Sequence, residues 1–436
     1  MPFELIPQKL IYGGDALGHY QGRTVLVPRA LAGERLEVEA MRTAKGVVHA
    51  RPRRVLEASP DRVEPPCPYF GRCGGCQYQH LKPELQTVAK AEILRETLRR
   101  IGHIHWDSEI PLHAAHPWNY RNQTQLKVAR QPDGRLVLGF FEHESHRLFP
   151  LDVCLILSPG LNAILGELRS TEWSARLVGC QEIELLADHQ DERVAVTLRG
   201  SLNPNEAEAI AREMLARLSG VVSVAVETGR ELRVFGEAAL NYSVGDFRYR
   251  ISPGSFFQAS RFLLPELVAA VTSEESAAAL APDSDRQMLA LDLFAGVGLF
   301  TLPLARRFTQ VVAVEAAAIS TADLAANAEA HALRNVRAVT ATAFDFLRRF
   351  AQSAPDLVVL DPPRAGVGVR ALKLLVACRP RRIHYVSCSP PTLARDLGYL
   401  LAHGYELQGV ELFDFFPQTF HIESLAKLTR RDGTSP

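Results

Sequence analysis

The chain has 436 residues, 47% of them hydrophobic, with 49 basic and 49 acidic side chains. Length and composition point to two or three folded domains and exclude an intrinsically disordered chain. The balanced charge excludes a surface coated throughout in positive charge, while leaving room for local basic patches on a nucleic-acid-binding protein.

Met1-Pro2-Phe3-Glu4 lacks the basic-then-apolar pattern of a secretion signal, and no apolar run approaches the roughly 20 residues that span a bilayer. A soluble cytoplasmic protein without membrane contact, acting as a monomer, is expected. Seven cysteines, three of them crowded at 67, 73 and 76, argue against a disulfide framework and for metal binding or thiol chemistry.

Residues 1–58 read as short strands separated by turns. Thr24–Pro28 and Glu34–Glu39 have β-type content or alternation, and Gly13, Gly14, Gly18, Gly22 and Gly33 supply the turns. A small β-barrel of the OB-like kind is expected. Within residues 1–56, nine Lys or Arg stand against five Asp or Glu, closing on Arg51-Pro52-Arg53-Arg54. That run suits a phosphate contact or a solvated surface equally well.

Residues 59–255 read as an α+β domain. Cys67-x5-Cys73-x2-Cys76 is a cysteine and glycine loop with metal-ligand spacing, which by itself fits zinc or an iron–sulfur cluster. Leu85, Val88, Ala89, Ile93, Leu94 and Leu98 recur at helical spacing and predict a helix from Pro83 to Ile101. Strands are expected at Leu126–Ala129 and Leu136–Phe141 around a turn at Pro132-Asp133-Gly134. Further strands are expected at Arg193–Leu198 and Val221–Val226, with a helix from Pro204 to Leu218.

Residues 256–436 change character. Apolar runs at Met288–Phe294, Val311–Val314, Val336–Val339, Leu357–Leu360 and Ile383–Val386 alternate with helical stretches. This is the pattern of an α/β, doubly wound, Rossmann-like domain with mainly parallel strands. Leu291–Leu299 gives a strand and then a glycine turn through Gly296 and Gly298, and Glu315 lies nineteen residues beyond Gly296 at the end of the next strand. Such a turn lets a ligand approach the backbone, and the acid can accept hydrogen bonds from ribose. The third glycine of the dinucleotide pattern is replaced by Thr301, and Asp361-Pro362-Pro363-Arg364 follows the fourth strand. Together these favour S-adenosylmethionine over a nicotinamide.

Ser387-Cys388-Ser389-Pro390-Pro391 then places a thiol just after an apolar strand, and Glu423 follows thirty-five residues later in Phe416-Pro417-Gln418-Thr419-Phe420-His421-Ile422-Glu423. A thiolate is a strong nucleophile and a carboxylate can serve as a base. A nucleophilic thiol should be at least partly exposed, with surroundings that favour the thiolate, and the flanking Ser and Pro residues argue against burial of Cys388 in a regular element. Ile422 and Leu425 predict a half-buried strand around Glu423, where an unpaired carboxylate is costly unless used.

These motifs, in this order, resemble the RNA (uracil-C5)-methyltransferases that carry an N-terminal TRAM domain and an iron–sulfur cluster. The likeness runs over nearly the whole chain through the Cys67 loop, Ser255-Phe256-Phe257-Gln258, the Leu291–Gly298 turn, Asp361–Arg364, Ser387-Cys388-Ser389 and His421-Ile422-Glu423. It implies Cys388 as nucleophile and Glu423 as general base, with Gln258, Phe294, Gly296, Gly298, Glu315 and Asp361 at S-adenosylmethionine. It implies a [4Fe–4S] cluster on Cys67, Cys73, Cys76 and Cys154, with Cys180 and Cys378 as ordinary thiols. The expected partner is RNA, 23S ribosomal RNA by analogy, with transfer RNA as the alternative substrate. A TRAM-containing radical iron–sulfur enzyme and a non-catalytic RNA-binding module are the readings furthest from it. One departure is Leu299, where the family usually has Asn. Phe256, Phe257, Phe415 and Phe416 are candidates to stack on a base drawn out of the RNA.

Overall fold

The computed structural model describes residues 2–130, 136–170, 173, 176–229, 231–273, 288–350 and 354–431. The turn expected at Pro132-Asp133-Gly134 lies outside the described residues. Among them, no helix is long and apolar enough to cross a membrane.

The N-terminal segment forms a six-stranded sheet in the order Pro2–Leu5, Arg35–Ala44, Val47–Glu57, Arg23–Pro28, Asp15–Tyr20, Lys9–Leu10. Alternation decides its inner face: Leu5, Ala16, Val25, Val27, Leu36 and Val38 point into one small core. Much of the basic excess is spent within the sheet. Arg51 and Arg53 both bind Glu39, and Arg35 binds Glu4 and Glu57.

The central sheet has seven strands, ordered Leu148–Pro150, Leu136–Phe141, Gln123–Arg130, Cys180–Ala187, Val194–Gly200, Val221–Thr228, Glu231–Gly236. The helices Pro159–Leu168 and Pro204–Arg217 share its core through Leu161, Ile164, Leu165, Ile210 and Met214. Each begins with proline in its first turn. Ser158 and Asn203 cap them by accepting from the backbone amides of Leu161 and Asn205.

The C-terminal sheet has eight strands, ordered Val336–Thr340, Gln310–Glu315, Leu289–Leu293, Leu357–Leu360, Arg382–Ser387, Glu423–Arg430, Tyr405–Phe413, Leu112–His113. Its first five strands are mutually parallel, and Glu423–Arg430 pairs antiparallel on both sides. Both faces are covered. Leu289, Leu291 and Leu293 point into one core, while Ala290 joins the other.

The helix expected from Pro83 runs Pro83–Gly102. It packs in this C-terminal domain against the helix Pro390–Ala402: Ala91, Ile93, Leu94 and Leu98 share a core with Leu393, Leu397 and Leu400 of that helix and with Leu289 of the sheet. A glycine allows the contact, since a Cβ at Gly102 would lie 2.6 Å from the carbonyl oxygen of Ala394. Sequence separation hides this arrangement, because nothing local to residues 83–113 says which sheet they will join. The same helix carries a buried ion pair. Lys90 Nζ donates to Asp414 Oδ1 at 2.6 Å and to the Phe416 carbonyl at 2.9 Å, and Thr87 donates to the other oxygen of Asp414. Gln86 bonds both the side chain and the amide of Gln418. The 414–418 loop that leads to Glu423 is therefore fixed from outside its own sheet.

Candidate active site

Cys388 and Glu423 meet because of strand register. Ser387 pairs with Ser424 at the end of the antiparallel ladder, so Cys388 and Glu423 flank that last pair, near enough for Glu423 to act on the thiol. Cys388 lies between the strand Arg382–Ser387 and the helix Pro390–Ala402, whose prolines 390 and 391 suit a helix start. The Ser389 amide donates to Ser387 Oγ at 3.1 Å, closing the turn around the thiol. Cys388 is partly exposed, whereas Glu423 is buried at 3% exposure.

The electrostatics differ from the sequence expectation in one respect. The Cys388 thiol is pushed up to about 11 by burial, then by Glu423 and Asp361, with Arg364 acting the other way. The protein's own groups thus hold it as the thiol. Burial is the main cause, and two nearby carboxyl groups that a linear reading does not bring together add to it. Burial, followed by Asp361, likewise raises Glu423 well above the usual carboxylate range, again opposed by Arg364. Arg364 also contacts His421, at 3.3 Å from Nδ1, and burial followed by that charge lowers His421 to about 3.

The cofactor candidates lie at the carboxyl ends of the adjoining strands, where ligands bind in such sheets. Phe294 and Gly296 have positive φ, +68° and +56°, and a Cβ at Gly296 would meet nothing within 4 Å. The turn at Gly296 therefore faces open space. Gly298 serves packing, because a Cβ there would lie 2.9 Å from Leu302. Glu315 is partly engaged by the fold: its two oxygens accept from the amides of Gly296 and Ala317. Each oxygen keeps a further lone pair for a ribose hydroxyl. Gln258 Nε2 donates to Asp361 Oδ2 at 3.2 Å. Burial raises both Asp361 and the neighbouring Asp292 to about 7, with Asp292 adding to the shift at Asp361. The Leu299 side chain is buried in the core beside Phe300, and its carbonyl accepts from Tyr249 Oη at 3.0 Å.

Cys67, Cys73, Cys76 and Cys154 line one cavity of about 780 Å³ with Arg121, Phe141 and Phe256. Cys76 is close enough to the other three thiols to be shifted by each of them. Burial and those neighbours raise Cys76, and burial raises Cys154 to about 11. Among the described residues, no group of three or more His, Cys, Asp or Glu gathers tightly enough to hold a single metal ion. Cys180 is buried against the carbonyls of Glu182 and Arg199, and Cys378 ends the helix Val369–Ala377.

Of the four stacking candidates, Phe257 and Phe415 are core residues and Phe416 packs against that core. Phe256 is 65% exposed, its ring free to meet a base. No local pattern marks Arg364, at the end of Asp361-Pro362-Pro363-Arg364, or the pins Lys90, Thr87 and Gln86. Their partners lie more than 300 residues away, beyond the reach of any local pattern.

The tRNA (uracil-5-)-methyltransferase family model matches residues 92–431. The 23S rRNA (uracil(1939)-C(5))-methyltransferase RlmD of Alkalilimnicola ehrlichii is 34% identical, over 98% of this chain and 97% of that protein. The protein of the same name from Pectobacterium atrosepticum is 35% identical, over 96% and 92%. An RNA methyltransferase of Aquifex aeolicus is 33% identical, over 99% of each. Among solved structures, the Pyrococcus abyssi tRNA (uracil-54, C5)-methyltransferase, in complex with S-adenosyl-L-homocysteine, aligns with a TM-score of 0.73 and 23% identity. It covers 98% of this chain and 100% of that one, a likeness of fold.

Proposed function

Because the chain belongs to the tRNA (uracil-5-)-methyltransferase family, we propose that it methylates carbon 5 of a uridine in 23S ribosomal RNA through a covalent bond between Cys388 and the pyrimidine. Its class of activity is S-adenosylmethionine-dependent RNA (uracil-C5) methylation. The observation that supports the reading is that a thiol and a buried carboxyl flank the last pair of one ladder, Ser387 with Ser424.

Carbon 5 of uracil is a weak nucleophile. The Cys388 thiolate adds to carbon 6, and the electron pair of the 5,6 double bond moves toward the oxygen on carbon 4. Carbon 5 then becomes nucleophilic. S-adenosylmethionine supplies the methyl group on a positively charged sulfur. After carbon 5 is alkylated it still bears a proton, which the Glu423 carboxylate removes. The 5,6 double bond re-forms, and the carbon–sulfur bond breaks to return the thiolate. Splitting one hard substitution into an addition and an elimination is the gain from covalent catalysis.

Charge supports the cofactor. Asp361 and Glu423 lie near Cys388, with Arg364 as their basic neighbour. A cation placed among them would favour the ionised form of all three groups. Gln258 orients Asp361, the turn at Gly296 leaves room for a close approach, and Glu315 keeps acceptor capacity for ribose.

The ribosomal substrate rests on the two relatives that match nearly end to end and carry that activity in their names. Transfer RNA is the alternative, from the family's description. Mass spectrometry of ribosomal and transfer RNA from cells lacking the protein separates them: loss of 5-methyluridine from 23S RNA supports the first, and loss from transfer RNA alone overturns it. The N-terminal sheet is read as the TRAM-type RNA-binding barrel over 1–58, followed by the central domain over 59–255 and the catalytic domain over 256–436.

The four cysteines are read as holders of a [4Fe–4S] cluster with a structural role. The support is that all four thiols line one cavity, together with the resemblance, since four thiolates by themselves suit zinc equally. Cys67, Cys73 and Cys76 would tie their loop to Cys154 of the central domain, and such a cluster takes no part in the reaction above.

A further inference from the structure

We propose that Tyr12, carried on a turn of the N-terminal sheet, is a catalytic residue whose phenol donates a hydrogen bond to the pyrimidine held over Cys388. The inference rests on the methyltransferase reading above and adds a residue from outside the catalytic domain.

Tyr12 follows the strand Lys9–Leu10 and precedes Asp15–Tyr20. Its turn is closed by the Ile11 amide on the Asp15 carbonyl at 2.9 Å and the Gly14 amide on the Ile11 carbonyl at 3.2 Å. Gly13 and Gly14 take φ of +110° and +97°, values that L side chains avoid. A Cβ at Gly14 would also stand 2.8 Å from Gln77 Cγ and 3.6 Å from Phe420 Cβ. The turn is therefore pressed against the cysteine loop and against the segment that leads to Glu423. Gln77 joins those two in turn, because its amide donates to the Gln418 carbonyl at 2.9 Å and its side chain accepts from the Phe420 amide at 3.3 Å.

The Tyr12 ring meets Phe420 edge-on, with centroids 5.5 Å apart, and packs beside the core of the catalytic domain. That packing leaves the phenol near Arg364, Cys388, Ser389 and Glu423, all of which act on its ionisation. Burial, together with the acidic neighbours, raises Tyr12 and keeps it a neutral O–H donor. A neutral donor is what the addition step calls for. When the thiolate adds to carbon 6, negative charge collects on a ring carbonyl oxygen, and a fixed donor there stabilises the addition without transferring a proton. The N-terminal sheet would then complete the catalytic site as well as bind RNA.

The test uses the full-length enzyme with its cofactor, a 23S RNA fragment carrying the target uridine, and the same fragment with 5-fluorouridine. Tyr12→Phe keeps the ring on Phe420 and removes only the oxygen. We expect single-turnover methylation to fall about 100-fold, in the range seen when one donor to a developing oxyanion is removed. Adduct formation on the 5-fluorouridine RNA should slow in parallel, while the Kd for RNA and the melting temperature stay as in the unsubstituted enzyme. Tyr12→Ala should lose the same rate and also weaken RNA binding. Native rates for Tyr12→Phe overturn the proposal, as does a rate loss accounted for by a weaker RNA Kd. Activity of the unsubstituted enzyme on the same fragment, measured alongside, separates failure of the uridine-methylation reading from failure of this one.

Discussion

Glu423 and Cys388 flank the Ser387–Ser424 pair that ends the antiparallel ladder. Thirty-four residues of helix, strand and loop lie between them in the chain, and the sheet cancels that separation. The proposed roles need this proximity, because a nucleophile and a base would act on adjacent carbons of one ring.

Replacing Cys388 with Ala should remove methyl transfer by a factor of roughly 10⁴ or more. Binding of S-adenosylmethionine, followed by calorimetry, should be retained, because the thiol is not needed to hold the cofactor. Residual turnover within tenfold of the native rate would exclude Cys388 as nucleophile.

Asp361 titrates near 7 because it is buried beside Asp292. Below that pH it is a neutral acid, and above it an anion that attracts a cation. Binding of the positively charged S-adenosylmethionine should therefore tighten as pH rises from 6 to 8. S-adenosylhomocysteine, whose sulfur is neutral, should show a flatter profile, and Asp361→Asn should remove the difference. The stability effect has the opposite sign. A carboxyl whose folded pKa lies above its unfolded value contributes fully in acid, and that contribution is lost as pH rises through about 7. Relative to the native protein, Asp361→Asn should thus be more stable at pH 8 than at pH 5 when both are melted without ligand.

The Lys90–Asp414 pair is fully enclosed, with side chains 0% and 3% exposed. Lys90→Ala leaves a carboxylate buried without its cation, at a cost of about 3–5 kcal/mol. Urea unfolding should show that loss, and pairing Lys90→Met with Asp414→Asn should recover most of it. A cost under about 1 kcal/mol for Lys90→Ala would show that the charge escapes to solvent.

Purified without air, the protein should carry iron and acid-labile sulfide in equal amounts, with visible absorption that Cys76→Ala removes. Methyl transfer itself should proceed in air without a reductant, because the reaction moves no unpaired electron. Zinc in place of iron, or turnover that requires a reductant, would refute the cluster's assignment.

Much of the catalytic domain was legible because its strands are short apolar runs set between glycine and proline signals. The runs at Leu357–Leu360 and Val336–Val339 survive in the sheet almost residue for residue. What was hidden depends on contacts between distant segments. The helix Pro83–Gly102 shows its periodicity plainly, yet its docking on the helix Pro390–Ala402 depends on a distant contact, the close approach of Gly102 to Ala394. The thiolate-favouring environment expected at Cys388 failed for the same reason. Packing of distant segments buries the thiol, and Glu423 and Asp361, which approach it in space, add to the shift. Tyr12 carried no sequence signal beyond the two glycines that follow it.

The central claim is a transient bond between the sulfur of Cys388 and a pyrimidine carbon, released when Glu423 takes a proton. Glu423→Gln should still add and methylate but stall before elimination. Incubated with S-adenosylmethionine and the RNA fragment, then denatured and digested, it should yield the peptide containing residue 388 covalently joined to a methylated uridine. Native turnover by Glu423→Gln with no such peptide would contradict the account.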